Sequence, residues 1–147
     1  MAMLRAMISD NLFAKNTVPI VRKLRSHDVR PTRQRVQIGC LLFHGADKHV
    51  SPDQLVTMLQ AHDIYMSLGT VYNTLRQFAE AGLITEVAGM GDRLVYDTNL
   101  SSHHHFLDVD TGELIDIDAD NLQLNGLPHL PGGFSLDGVD ITIRIKR

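Results

Sequence analysis

Three consecutive histidines, His103, His104 and His105, are the residues of this sequence whose type and spacing most directly suggest chemistry. In an extended segment alternate side chains share a face, so His103 and His105 point together and His104 points away. Asp97 lies six residues before the run, Asp116 eleven after it, and His49 further upstream. Together His49, Asp97, His103, His105 and Asp116 form a nitrogen and oxygen donor set suited to Fe(II), Mn(II) or Zn(II). The bland alternative is a solvated polar loop, because histidine runs and scattered carboxylates also occur without a metal. A further chemistry is haem ligation through His103, His104 or His105, which needs an apolar slot beside an exposed imidazole. A metal-dependent hydrolase would require an open metal position and a general base not already consumed as a ligand. No residue with suggestive spacing fills that role, so the chain is expected not to be an enzyme.

A second set of residues suits nucleic acid. From Ser67 to Gly82, Val71, Leu75, Phe78 and Ala79 recur at helical spacing, Ser67 is a good N-cap and Gly82 a stop. The other face carries Thr70, Tyr72, Asn73, Arg76 and Gln77, hydrogen-bonding groups with little negative charge. Such a surface matches base edges and phosphates. Arg30-Pro31-Thr32-Arg33-Gln34-Arg35 is a dense basic turn with Thr32 as the cap of the following helix. It reads either as a solvated helix start or as a phosphate contact, with Arg30 able to enter a minor groove. The candidate DNA contacts are Arg30, Thr32, Arg33, Arg35, Ser67, Thr70, Tyr72, Asn73 and Arg76.

The elements that must position these groups follow from punctuation and periodicity. Residues 1–14 are a weakly specified helix or terminus, and Asn16 or Thr17 caps a helix with Pro19 in its first turn. A helix follows Thr32, with Val36, Cys40 and Phe43 inward, and Ser51-Pro52 opens another, with Leu55, Val56 and Leu59 inward. Helix, short link and the Ser67 helix form a helix-turn-helix. Residues 83–87 and 93–97, around Gly89-Met90-Gly91-Asp92, form a hairpin that makes the unit winged. Two strands between His104 and Ile117, a short helix around Leu122 to Leu127 and an alternating strand from Val139 to Ile145 complete the chain. The expected architecture is α/β (α+β): a winged-helix DNA-binding domain over residues 1–99 and a small α/β domain over 100–147 for dimerisation and sensing. About 48 residues make a small core, so the second domain is expected to need a partner surface, most simply a second copy.

Charge supports the division. The net charge is -3, yet residues 1–99 hold 11 Lys/Arg against 9 Asp/Glu while residues 100–147 hold 3 against 8. Within residues 1–35 the counts are 8 and 2, so the basic field is amino-terminal. Cys40 lies among apolar neighbours and reads as a core residue, and as the one cysteine it excludes an intramolecular disulfide and a cysteine-based structural zinc. No run approaches the roughly 20 apolar residues of a membrane span, and a cytoplasmic setting is expected.

With these features in order, the chain resembles the Fur family of metal-responsive transcription regulators. The resemblance rests on Thr32-Arg33-Gln34-Arg35, His49, Gly69-Thr70-Val71-Tyr72-Asn73-Thr74-Leu75, Gly82-Leu83-Ile84, Tyr96-Asp97, His103-His104-His105 and Gly112. Arg30-Pro31, Asp97-Thr98-Asn99 and the triple histidine look most like the iron response regulator (Irr) branch. The resemblance implies a homodimer on A+T-rich palindromic operators, Arg30 as a minor-groove probe, Tyr72 and Asn73 as base or sugar contacts, and a regulatory metal site at His49, Asp97, His103, His105 and Asp116. It also implies repression relieved by haem at His103 to His105; a repressor activated by Fe, Mn or Zn, or responsive to peroxide, is the alternative. The sequence departs from the family pattern at the paired-cysteine zinc site, where Asp108 and Thr111 stand. It departs again at the other histidine and carboxylate site, which keeps only His104 beside Ser102, Gln123 and Val139, and it has no Cys-Pro haem motif.

Overall fold

The computed structural model describes residues 2–147, with side chains from residue 11 onward. The chain forms two compact units, Met1–Leu100 and Ser101–Arg147. The first is a winged helix. Helices α1 (Ala2–Ser26), α2 (Arg33–Leu42), α3 (Pro52–Gln60) and α4 (Leu68–Glu80) surround a core that includes Leu24, Ile38, Leu42, Leu55, Leu75 and Phe78. Gly39 allows α1 and α2 to cross closely, since a Cβ there would stand 2.7 Å from the Ile20 Cγ2. Cys40 is fully buried, and loss of solvation pushes its thiol pKa up, as a core residue requires.

Helix starts and stops are chemically explicit. Thr32, Ser51 and Ser67 each accept the backbone N–H three residues on, and Gln54 reciprocates to the Ser51 N–H to complete a capping box. Helices α1, α3 and α4 end alike. Asp28, Asp63 and Gly82 adopt φ of 57°, 58° and 78°, and the next residue's N–H returns to Leu24, Leu59 and Phe78 respectively. This Schellman arrangement turns Val29, Ile64 and Leu83 back toward the core.

One expected break is absent. Helix α1 runs through Asn16, Thr17 and Pro19. The Asn16 amide donates to the Leu12 carbonyl at 2.7 Å and the Thr17 hydroxyl to the Phe13 carbonyl at 2.5 Å. Their side chains bond backward within the helix and cap nothing, while Pro19 withholds only the one N–H that would reach Lys15.

Strands β1 (His49–Val50), β2 (Thr85–Glu86) and β3 (Tyr96–Asp97) form an antiparallel sheet in the order β1-β3-β2. The wing is therefore a hairpin with a third strand added from the segment before α3. In the second unit β4 (His103–Asp108) is central, antiparallel to β5 (Leu114–Asp118) and parallel to β6 (Thr142–Ile145). The helix expected over Leu122 to Leu127 does not form; only a 3-10 turn, Ala119–Asn121, is present. Leu122 and Leu124 have a two-residue spacing that shares no helical face, and Gly126 at φ 77° ends any nucleus early. Among the described residues no helix is long and apolar enough to cross a membrane.

The β4–β5 turn is held by Asp108, whose Oδ1 accepts the N–H groups of Asp110 at 2.9 Å and Thr111 at 3.2 Å. The Thr111 N–H, then that of Asp110, holds the Asp108 carboxyl below the usual carboxylate range. A folded pKa below the unfolded one stabilises the fold above the unfolded value of about 4 and is lost as pH falls through the folded value. Asp108→Ala is expected to lower the thermal midpoint at pH 7, with the deficit shrinking as pH is taken below about 4. Thermal melts across that range check this.

Candidate metal centre and nucleic-acid interface

Strand register brings the histidines to their carboxylates in both units. In the first unit His49 pairs directly with Asp97. The register is clamped one residue away: the Lys48 N–H donates to the Thr98 hydroxyl at 2.9 Å, and the Thr98 N–H to the Lys48 carbonyl at 3.0 Å. The Lys48 ammonium gathers the carbonyls of Leu42 at the end of α2 and of His44 and Ala46 in the segment after it, and desolvation lowers its pKa. His49 Nε2 then stands 3.1 Å from Asp97 Oδ2, while Asp97 Oδ1 accepts the Asn99 N–H at 2.8 Å. The Asp97 side chain is 3% exposed.

In the second unit His105 pairs directly with Asp116, and His103 is its diagonal neighbour on the same face. His103 Nε2 and His105 Nε2 both lie 3.5 Å from the same oxygen, Asp116 Oδ1. The rings are nearly perpendicular, at 71°, with centroids 4.6 Å apart. His103 Nδ1 is 2.6 Å from the Ser101 carbonyl, which can only accept, so Nδ1 carries the proton. In a neutral imidazole that leaves the Nε2 lone pair facing Asp116.

Lone pairs on imidazole and carboxylate repel unless a proton or a cation joins them. A divalent ion would join donors placed in this way, as would a ring proton. Two donor atoms each ~2.1 Å from one ion stand about 3.0 Å apart at a right angle and about 3.4 Å at the tetrahedral angle. The distances of 3.1 and 3.5 Å fall at or just beyond those separations. The Ser101 carbonyl behind His103 is the kind of outer partner that orients a ligating imidazole.

His104 stands apart. Its Nδ1 accepts the Ile141 N–H at 3.2 Å, which in the neutral ring places the proton on Nε2. Ligation through Nε2 would move that proton to Nδ1 and set it against the Ile141 N–H. His104 shares its face with Phe106, and the register sets Ile115 and Ile143 on either side of Phe106. Asp108 and Thr111 are committed to the turn.

The expected nucleic-acid face divides by partner. Arg30, Thr32, Arg33, Tyr72, Asn73 and Arg76 are exposed, Tyr72 to 46%. Among the described residues Arg76 has an exposed contact to Glu80 at 3.9 Å, too solvated to hold it. Ser67 and Thr70 bond each other: the Ser67 oxygen accepts the Thr70 N–H at 3.1 Å and lies 2.9 Å from the Thr70 hydroxyl. Arg35 is half-buried and bonded to Arg30 and Gln77. Sequence patterns do not foretell the parts played by Lys48, Thr98 and Ser101, which rest on individual hydrogen bonds, the two between Lys48 and Thr98 spanning 50 positions.

The ferric uptake regulator family matches residues 26–143. A ferric uptake regulation protein of Pseudomonas aeruginosa is 34% identical over 95 residues, covering 64% of this chain and 71% of that protein. The structure of the ferric uptake regulator from Pseudomonas aeruginosa with manganese is similar over 87% of this chain and 97% of that one, with a TM-score of 0.65 and 25% identity. The Vibrio cholerae ferric uptake regulator shares the fold over 86% of this chain and 98% of its own, with a TM-score of 0.68 at 23% identity. The chain belongs to the ferric uptake regulator family, a family of metal-responsive transcription regulators.

Proposed function

We propose that this chain is a homodimeric repressor that binds A+T-rich palindromic operators when one divalent ion, Fe(II), Mn(II) or Zn(II), is held by His49, Asp97, His103, His105 and Asp116. The observation that carries this is the Asp116 oxygen faced by two imidazole Nε2 atoms at 3.5 Å, with His103 already protonated on its other nitrogen. A bound ion supplies positive charge that lets these donors approach and ties together ligands from both units. The chain's own residues make that tie matter. On β3 adjacent side chains face opposite ways: Asp97 meets His49, while Tyr96, 2% exposed, belongs to the core with Val71, Leu75 and Phe78 of α4. Fixing Asp97 therefore fixes the strand against which the recognition helix is seated.

In this proposal α4 lies in the major groove with Tyr72, Asn73 and Arg76 toward the bases, and Arg30, Thr32 and Arg33 toward the backbone or minor groove. Dimerisation falls to the second unit, opposite the histidine face. Ile115, Phe106 and Ile143 lie abreast across β5, β4 and β6, with Ile115 46% and Ile143 38% exposed. An apolar row of this kind, on a unit with so small a core, calls for a second copy.

A haem-responsive repressor, as the Irr-like motifs imply, is the second proposal, and the apolar face beside His104 favours it. Its cost is the proton on His104 Nε2, so His103 or His105 would be the better axial ligand.

Two outcomes are expected. With a palindromic A+T-rich duplex at fixed salt, Mn(II) tightens binding of the wild-type chain by roughly 5- to 150-fold, and His103→Ala or Asp97→Asn abolishes the increment while the fold, read by circular dichroism, persists. Binding lost on adding haem, with no response to metal, would move the function to the haem-responsive form. In sedimentation equilibrium the wild-type chain has the mass of two copies, and Ile143→Asp shifts it to one.

A further inference from the structure

Arg35 belongs by position to the basic turn, yet its guanidinium is turned inward. One terminal nitrogen donates to the Arg30 carbonyl at 2.9 Å and the other to Gln77 Oε1 at 2.8 Å, 42 positions along the chain. Its backbone N–H also donates to the Thr32 hydroxyl at 3.4 Å, while the Thr32 N–H returns to the Arg30 carbonyl at 3.0 Å. Arg30 and Arg33 on the same turn are exposed, whereas Arg35 and Gln77 are both half-buried. Gln77 follows Arg76 on α4 and sits one turn beyond Asn73.

We propose that Arg35 is a positioning residue for operator recognition and not a phosphate contact: its planar fork fixes the distance between the Arg30 turn and α4, so that both parts of the DNA face present in one register. The inference rests on the DNA-binding function proposed above. The guanidinium suits this task because its donors diverge in one rigid plane and reach two acceptors at once. An ammonium keeps the charge but presents it as a point. It therefore cannot hold two acceptors in the same fixed geometry.

The charge and the geometry are separable by salt dependence. A phosphate contact contributes about 0.9 to the slope of log affinity against log salt concentration, whereas a positioning contact releases no counterion. The experiment is fluorescence anisotropy of the full chain with Mn(II) on an A+T-rich palindromic duplex that the wild-type chain selects from a random pool. The chains compared are wild type, Arg35→Lys, Arg35→Gln, Gln77→Ala, the Arg35→Gln/Gln77→Ala double variant and Arg33→Gln. Arg35→Lys and Gln77→Ala are expected to weaken selected binding at least fivefold with the wild-type salt slope kept. The double variant should bind no more weakly than Arg35→Gln alone. Arg33→Gln should lower the slope by about one, as loss of a true phosphate contact does.

Full affinity in Arg35→Lys, no effect of Gln77→Ala, or a slope lower by about one in Arg35→Gln overturns the inference while leaving DNA recognition intact. A wild-type chain that selects no duplex overturns the DNA-binding function and this inference with it. Gln77→Ala alters only a half-buried helix side chain, so the test survives even if an Arg35 variant fails to fold.

Discussion

Strand register is the constraint on which the rest depends. His49 opposite Asp97 and His105 opposite Asp116 are the same device used twice, a histidine and a carboxylate facing each other across an antiparallel pair. Because side chains alternate along a strand, a slip of one position in either pairing would turn the donors to the opposite face. Much of the surrounding chemistry serves to prevent that slip. Lys48 and Thr98 lock the short β1–β3 pairing, and Asp108 ties the turn that sets β4 against β5. This turn is closed by a carboxylate and two N–H groups.

The proposed recognition surface is built on a different principle. Helix α4 is capped by Ser67, stopped at Gly82 and anchored through Val71, Leu75 and Phe78, which are fully buried. Its outer face is then free to carry groups chosen for what they bond. Tyr72, Asn73 and Arg76 contribute little to the fold, and Arg35, though basic, serves inside the protein. The charge of a residue therefore says less about its partner than the direction its donors take.

Helix caps and apolar spacing made the winged helix legible in the sequence, since Ser51, Ser67 and Gly82 act through their immediate neighbours. The alternation of His103, His104 and His105 was legible for the same reason. The break expected at Asn16 and the helix expected after Asn121 failed where local signals were ambiguous. Asn and Thr side chains can bond backward within a helix as readily as they cap one, and leucines two apart fit no helical face. Strand β1 was not legible at all. Two residues carry no period, and it is their partners Asp97 and Tyr96 and the clamp at Thr98 that make them a strand. The Arg35 to Gln77 bond was hidden likewise, because it spans 42 positions.

The most direct test of the central claim is the X-ray absorption spectrum of the chain loaded with one equivalent of Co(II), which reports the ligands of a single ion. The outcome predicted is a shell of nitrogen and oxygen only, at about 2.1 Å, with outer-shell scattering from three imidazoles. That is the count His49, His103 and His105 would supply to one ion under the proposed function. Scattering from two imidazoles or fewer would mean that the units bind separately, and the link from the ion to the recognition helix would fail.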